Sequence, residues 1–450
     1  MKSDRTVGDH LDDDGREKRT GTLMTASAHI ITAVIGSGVL SLAWCIAQLG
    51  WVSGPAAIVV FSVITYFTSS LLADCYRSPD PGSQKRNYTY MDVEESTSLS
   101  VALHSIAISA VRRSDCFYKY GHAANCDVNN NGFMVTFGCF ELILSQMQNF
   151  HKLWWLSIVA AVMSLVYSAI ALGLSINKIS EGGDMHTSLG GVITVDGVDA
   201  TSSTENIWKI FQAVGDIAFS YAFSTILIEI QDTLKSSPPE SGVMKKASLI
   251  GVFTTTLFYL LCGSLGYAAF GNNAPGNILT GFGFYDPFWL IDIGNICIVI
   301  HLVGAYQVFC QPFFQFVEIN AQNRWPYSSF INKEHVVKLP ILNQNISINL
   351  FRLVWRSFYV MITTLIAMVL PFFNDFLGLL GACSFWPLTV YFPIEMHIKK
   401  DNIPKWSFRW LMLTTLTYLC LVICLVAAAG SIRGLVSNVK IYKPFQTPHD

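Results

Sequence analysis

The sequence predicts an all-α polytopic membrane protein of ten to eleven transmembrane helices, and three observations carry that prediction. Of its 450 residues, 52% are hydrophobic and 13% charged, where an ordinary soluble domain carries about 25% charged residues. Mean hydropathy is +0.42, and a soluble chain this apolar would expose large apolar patches that a bilayer instead solvates. The apolar residues also fall in runs that meet the roughly 20-residue length of a spanning helix. A net charge of −2 leaves no basic footprint for nucleic acid.

The first twenty residues (1–20) are hydrophilic and charged. They lack the apolar stretch of a cleavable signal and read as a disordered cytoplasmic tail. Ten apolar runs follow, at about 22–50, 54–76, 132–149, 154–176, 207–234, 248–270, 288–317, 353–372, 374–397 and 408–432. The run at 132–149 is short and carries Glu141, and residues 433–450 read as a C-terminal tail. Between Arg77 and Arg112 only Ser98–Val111 is apolar, about 21 Å as a helix against a hydrocarbon core about 30 Å thick.

Loop charge tests whether that short segment crosses. With a basic tail (Arg16, Lys18, Arg19) in the cytoplasm and eleven crossings, one side collects Arg77, Lys85, Arg86, Lys235, Lys245, Lys246, Arg324, Lys399, Lys400 and Lys405. The other side holds mainly Arg112, Arg113, Lys119 and Lys178. That bias obeys the positive-inside rule. Removing one crossing would invert every later loop, so charge favours eleven crossings while length argues against the third.

Two spans carry interruptions. The first contains Ile35-Gly36-Ser37-Gly38-Val39 at its midpoint, where paired glycines lower the cost of unwinding. Unwinding there leaves a half-helix beginning near Val39 and Leu40, whose free amides and positive dipole end suit a carboxylate. Small residues also serve close helix packing. The sixth span, Ile207–Leu234, is long and holds Asp216, Ser220, Tyr221, Ser224 and Glu229. Charged groups in a span belong in the bundle interior or a wet cavity. Interrupted helices at matching positions of two halves mark a secondary transporter with inverted repeats. Phe219, Tyr221 and Phe223 sit at the second break and would wall a side-chain pocket or simply pack. His29 and His301 lie within spans; each would relay a proton or bond a neighbouring carbonyl, and Asp216 competes for the relay role.

Trp51, Trp154, Trp155, Trp208, Trp325 and Trp406 cluster at span ends as interfacial belts do. Pro387 and other span-end prolines read as kinks or terminators. Of 11 cysteines, Cys116 and Cys126 alone sit in a polar loop, 112–132, where an oxidising compartment would permit a disulfide. No spacing resembles a metal site, a P-loop or a nucleophile elbow, so no enzyme is expected.

Long strings then carry a resemblance: GTLMTASAHIITAVIGSGVLSLAWCIAQLGW, FQAVGDIAFSYAFSTILIEIQDTLKSSPPE, GYAAFGNNAPGNILTGFGFYDPFWLID and PFFNDFLGLLGACSFWPLTVYFPIEMHI. They resemble the plant amino acid permeases of the amino acid/auxin permease family over nearly the whole chain after residue 20. The resemblance implies a LeuT-like 5+5 inverted repeat, with a first repeat at about 22–176, a second at about 207–397 and an extra helix at 408–432, within a transporter domain spanning 21–432. It implies a proton-coupled symporter importing neutral and acidic amino acids across the plasma membrane, with protons as coupling ion and no other cofactor. Its first break matches Ile35–Val39, its second the Ala218–Ser224 region, its histidines His29 and His301, and its loop cysteines Cys116 and Cys126. The chain departs from the family between Tyr90 and Cys116, where much of a Gly-rich linker and the first part of helix three are missing. A shortened third helix motivates the alternative of a transport-defective variant or an amino-acid-sensing receptor that binds without cycling.

Overall fold

In the computed structural model, residues 12, 18–77, 94–122, 124, 126, 128–147, 154–182, 186–193, 200–283, 288–339, 344–369 and 373–441 are described. Helix α1 (Leu23–Val34) begins at a reciprocal cap. The Thr22 amide donates to Thr25 Oγ1 at 2.8 Å and the Thr25 amide to Thr22 Oγ1 at 3.4 Å, satisfying amides that lack a carbonyl one turn earlier. The helix stops at Ile35 (φ −76°, ψ 74°), and α2 (Gly38–Asp74) resumes it after Gly36 and Ser37. Gly50 bends α2 with φ 83°, a backbone that suits glycine. The amides of Trp51 and Val52, freed by the bend, donate to the Ser188 and Leu189 carbonyls at 3.2 and 3.3 Å. The bend separates the first crossing from the second, as the runs 22–50 and 54–76 predict.

Helix α3 (Glu94–Tyr120) corrects the sequence reading. It has 27 residues, about 40 Å at 1.5 Å per residue. Only its apolar run is short. The helix continues through Arg112–Tyr120, read above as loop, helped by the Asp115–Lys119 pair one turn apart at 2.7 Å. A Cys116–Cys126 disulfide ties its end to the following loop. Next come α4 (Asn131–Leu144) and α5 (Trp154–Ser180).

The second interruption divides α6 (Ala200–Ser220) from α7 (Leu227–Asp232), with Tyr221–Phe223 unwound and a 3₁₀ turn at Ser224–Ile226. Beyond lie α8 (Glu240–Phe270), α9 (Ile278–Gly281), α10 (Phe288–Arg324) and α11 (Ser329–Asn332). A two-stranded antiparallel hairpin, β1 (Glu334–Leu339) with β2 (Gln344–Asn349), pairs Glu334 with Asn349 and Leu339 with Gln344. This hairpin amends the all-α expectation outside the bundle: Asn345-Ile346-Ser347-Ile348 alternates with the period of a strand. Then α12 (Leu350–Val369), α13 (Phe373–Ser384), a π turn over Phe385–Tyr391 around Pro387, α14 (Phe392–Lys400) and α15 (Phe408–Ile441) complete the chain.

Eight helices among the described residues are long and apolar enough to cross a membrane, and α1 and α4 are shorter apolar helices. Divided at Gly50 and joined across the two breaks, the helices among the described residues form eleven rods. Helix α15 runs past 432 to Ile441. Residues 442–450, and 1–11 and 13–17 of the segment read as a tail, lie outside the described residues. Arg19, also read as tail, is instead buried: its guanidinium donates to Asp232 Oδ1 at 2.7 Å and to Asp12 Oδ2 at 3.0 Å.

Helices α3, α4, α10 and α12 pack together around a buried polar chain. Gln307 donates to Glu141 Oε2 at 2.6 Å, Gln311 donates to Gln307 Oε1 at 2.9 Å, and Arg356 donates to Gln311 Oε1 at 3.3 Å. Arg356 also donates to Glu318 at 2.6 Å and to the Ser145 carbonyl at 2.6 Å. Glu141 and Glu318 are therefore interior and partnered, as charged groups within a bundle must be.

Candidate functional site

The two breaks meet at the centre of the bundle, held by two tyrosines. Tyr259 of α8 presents its hydroxyl to the carbonyls of Val34 and Ser220, one from each break, the latter at 3.0 Å. Tyr167 of α5 presents its hydroxyl to Ile35 O at 3.1 Å and Gly36 O at 3.0 Å. Carbonyls released by unwinding thus find partners in protein, the condition for irregular backbone at membrane depth. The close approach needs glycine at 38, because a Cβ there would overlap Ser220 Oγ.

A cavity of about 340 Å³ opens at this junction. Thr32, Ala33, Val34, Gly36 and Ser37 line it from the first break, and Phe219, Ala222 and Thr225 from the second. Ser100 of α3, four residues of α10 (His301, Leu302, Ala305, Phe309) and the α13 turn with Cys383, Ser384 and Pro387 complete most of the wall. The described lining residues include no Lys, Arg, Asp or Glu. Ser37 precedes α2 and makes no side-chain bond to its first amides. That leaves the positive end of the helix uncapped beside the cavity.

Gly36, Ser37, Phe219 and His301 are therefore brought together by the fold. Ile35, Gly38, Val39 and Leu40 are buried behind them in the first break. The remaining residues of the second break turn away. Ala218 is buried, Ser220 Oγ donates to Asp216 O at 2.9 Å, Tyr221 OH donates to Thr256 Oγ1 at 2.9 Å, and Ser224 Oγ meets Ser69 Oγ at 3.3 Å.

The titratable residues differ in placement. His29 is buried in α1 and does not line the cavity. His301 does: its Nδ1 lies 3.0 Å from Ala160 O, and its buried Nε2 has no hydrogen-bond partner among the described residues. A carbonyl only accepts, so Nδ1 carries the hydrogen and the Nε2 lone pair is left toward Gly36. Asp216 is fully buried on α6, one turn before Ser220, and sits outside the cavity wall. Its Oδ2 meets Cys45 Sγ at 3.7 Å, while Oδ1 has no partner among the described residues.

Sequence reasoning missed Tyr167, Tyr259, Ser100 and Ser384. A buried tyrosine hydroxyl needs a partner, but the carbonyls that Tyr167 and Tyr259 serve lie 132 and 225 positions away in sequence. No local pattern could pair them. The contribution of Ser100 also shows that α3 reaches the cavity despite its short apolar run.

With this geometry in place, comparison with known proteins is direct. A family model described as "Transmembrane amino acid transporter protein" matches residues 19–437. The chain is 58% identical to Amino acid permease 6 of Arabidopsis thaliana over 98% of this chain and 96% of that relative. It is 57% identical to Amino acid permease 1 of the same plant, over 99% and 96%. The solved structure titled "Crystal structure of MhsT in complex with L-phenylalanine" is similar at 10% identity over 93% of this chain and 100% of that one, with a TM-score of 0.46. The first alignment extends over 468 residues against a chain of 450, so that relative carries segments this chain lacks. Both the matched length and the identity decide the assignment: the chain belongs to the transmembrane amino acid transporter protein family.

Proposed function

We propose that the protein is a proton-coupled symporter that imports neutral and acidic amino acids across the plasma membrane, with its N-terminus in the cytoplasm. The observation that carries this reading is the cavity at the meeting of two broken helices, walled by the uncapped start of α2 and by His301. The substrate carboxylate meets the first amides of α2, where backbone N–H groups and the helix dipole favour an anion. Its ammonium meets the carbonyls of the second break near Ala218–Tyr221. The absence of fixed charge among the described lining residues suits neutral side chains, and an acidic side chain would face His301.

Coupling requires a group that can take up and release a proton, and His301, whose Nε2 has no hydrogen-bond partner among the described residues, is the one that lines the cavity. Asp216, one turn below the second break, is the second coupling group, and His29 is third in this order. Alternating access follows when one bundle rocks about the fixed site. Orientation is supported by the basic residues gathered on the Arg19 face, among them Arg77, Lys235, Lys245, Lys246 and Lys400. The disulfide on the opposite face suits an oxidising exterior.

The test is uptake of labelled neutral and acidic amino acids into proteoliposomes at two external pH values. Accumulation should rise with an inward proton gradient and disappear when a protonophore collapses it. Uptake indifferent to that collapse would reject the coupling, and saturable binding with no uptake would favour a receptor.

A further inference from the structure

A second cavity, of about 350 Å³, lies apart from the substrate cavity between the first half of α6, the start of α13 and the last turns of α15. Chain direction puts it on the face that carries the Cys116–Cys126 disulfide. Asp375 and Gln212 stand in its wall, and the Arg433–Glu205 pair, at 2.7 Å, spans its rim beside Lys209. Asp375 is buried, with Gln212 donating to its Oδ1 at 2.9 Å and Asn438 donating to its Oδ2. Gln212 and Asp216 are one turn apart on α6.

Between Asp375 and Asp216, Gly378 lets α13 close directly onto α6 and α15. A Cβ on that glycine would lie 2.7 Å from Asp216 Oδ1 and 2.6 Å from Ser431 Oγ. The Asp216 oxygen that meets this glycine, Oδ1, is the one with no hydrogen-bond partner among the described residues, in a residue that is 0% exposed. Such an oxygen is costly to leave unmet in a dry interior, and it is aimed away from the substrate cavity and toward α13 and α15.

We propose that Asp216 is loaded with its proton through this α6–α13–α15 cavity, with Asp375 as the first acceptor and the Ser431 hydroxyl beside Gly378 as the bridge. The proton then enters by a route separate from the amino acid, and α15, outside the two repeats, becomes part of the coupling machinery. The groups that set the potential along the route are Cys45 and Asp375 near Asp216, and Glu205, Lys209 and Arg433 at the mouth. This inference rests on the reading of Asp216 as a coupling group.

Substrate-evoked currents in the full chain test it as a function of external pH. Asp375→Asn removes the relay's charge, so half-maximal current should require about tenfold more external protons, roughly one pH unit. The amino acid KM at saturating proton concentration should stay within about twofold, since no substrate contact is lost. Asp375→Glu should restore the parent pH profile. A second measurement, independent of how Asp375→Asn folds, uses Ser437→Cys at the mouth: an external, membrane-impermeant thiol reagent should slow proton-dependent current relative to the same treatment of the parent chain. An unshifted pH profile in Asp375→Asn, with unchanged current after Ser437→Cys labelling, would overturn the route. Proton-driven accumulation that survives intact in Asp216→Asn would instead overturn the role of Asp216 itself, so the two failures are distinguishable.

Discussion

Tyr259 is the residue on which both breaks depend, since its one hydroxyl serves Val34 O and Ser220 O from opposite halves of the chain. Tyr259→Phe keeps the ring and its edge contact with Tyr221 at 5.3 Å; Val34 O retains the Gly36 amide at 2.8 Å, but the buried Ser220 carbonyl loses its tyrosine partner, at about 1–3 kcal/mol. Initial uptake is expected to fall about tenfold or more, each 1.4 kcal/mol being a factor of ten, with surface biotinylation near the parent level. Parent-like uptake would show that the tyrosine only fills space. Gly38 offers a sharper steric test, because the single methyl of Gly38→Ala meets Ser220 and forces the breaks apart. The expected outcome is protein that reaches the surface and fails to bind amino acid in a scintillation proximity assay.

Among elements, α12 is held by a charge that the bilayer would otherwise exclude. Arg356 is 1% exposed and satisfies Glu318, Gln311 and the carbonyls that end α4 at Ser145 and Met147. Removing one partner of a buried ion pair costs about 3–5 kcal/mol, whereas replacing both with apolar groups is near neutral or better. Arg356→Met alone should lower the melting temperature in detergent markedly, and adding Glu318→Met with Arg352→Met, which removes the second guanidinium on Glu318 at 3.2 Å, should recover part of the loss. Equal melting of the single variant and the parent would mean that α4, α10 and α12 are held by packing alone. The same element scale explains α3. Its polar C-terminal end is helical because the Asp115–Lys119 pair and the disulfide stabilise the last turns, features that hydropathy does not register.

For the whole molecule, the decisive contact joins the start of α1 to the end of α7. Arg19 reaches both the carbonyl of Asp232 at 2.6 Å and its carboxylate at 2.7 Å, and Tyr76 donates to that carboxylate at 2.5 Å. Gly21 and Leu234 form a bridge alongside, with Gly21 N donating to Thr233 O at 2.8 Å. This strap closes the Arg19 face of both interrupted helices. Arg19→Ala should open that face, so Cys383, which lines the central cavity outside any disulfide, should alkylate several-fold faster in inside-out vesicles. An unchanged rate would mean that the strap does not limit access.

The sequence by itself determined the class of the protein, the order of its crossings and where two of them break. Those properties are local: apolar run length, the Gly36–Gly38 pair and the polar residues between Asp216 and Glu229 are all read along the chain, and charge bias called for the third crossing that length disputed. Only the tertiary structure decided that helix three extends to Tyr120, that Tyr167 and Tyr259 hold the breaks, and that His301 faces the cavity while His29 and Asp216 do not. The physical reason is that a hydrogen bond across a bundle joins residues more than a hundred positions apart. In a bilayer, apolar periodicity separates lipid from protein only weakly, so which polar group faces which cavity is set by packing and not by pattern.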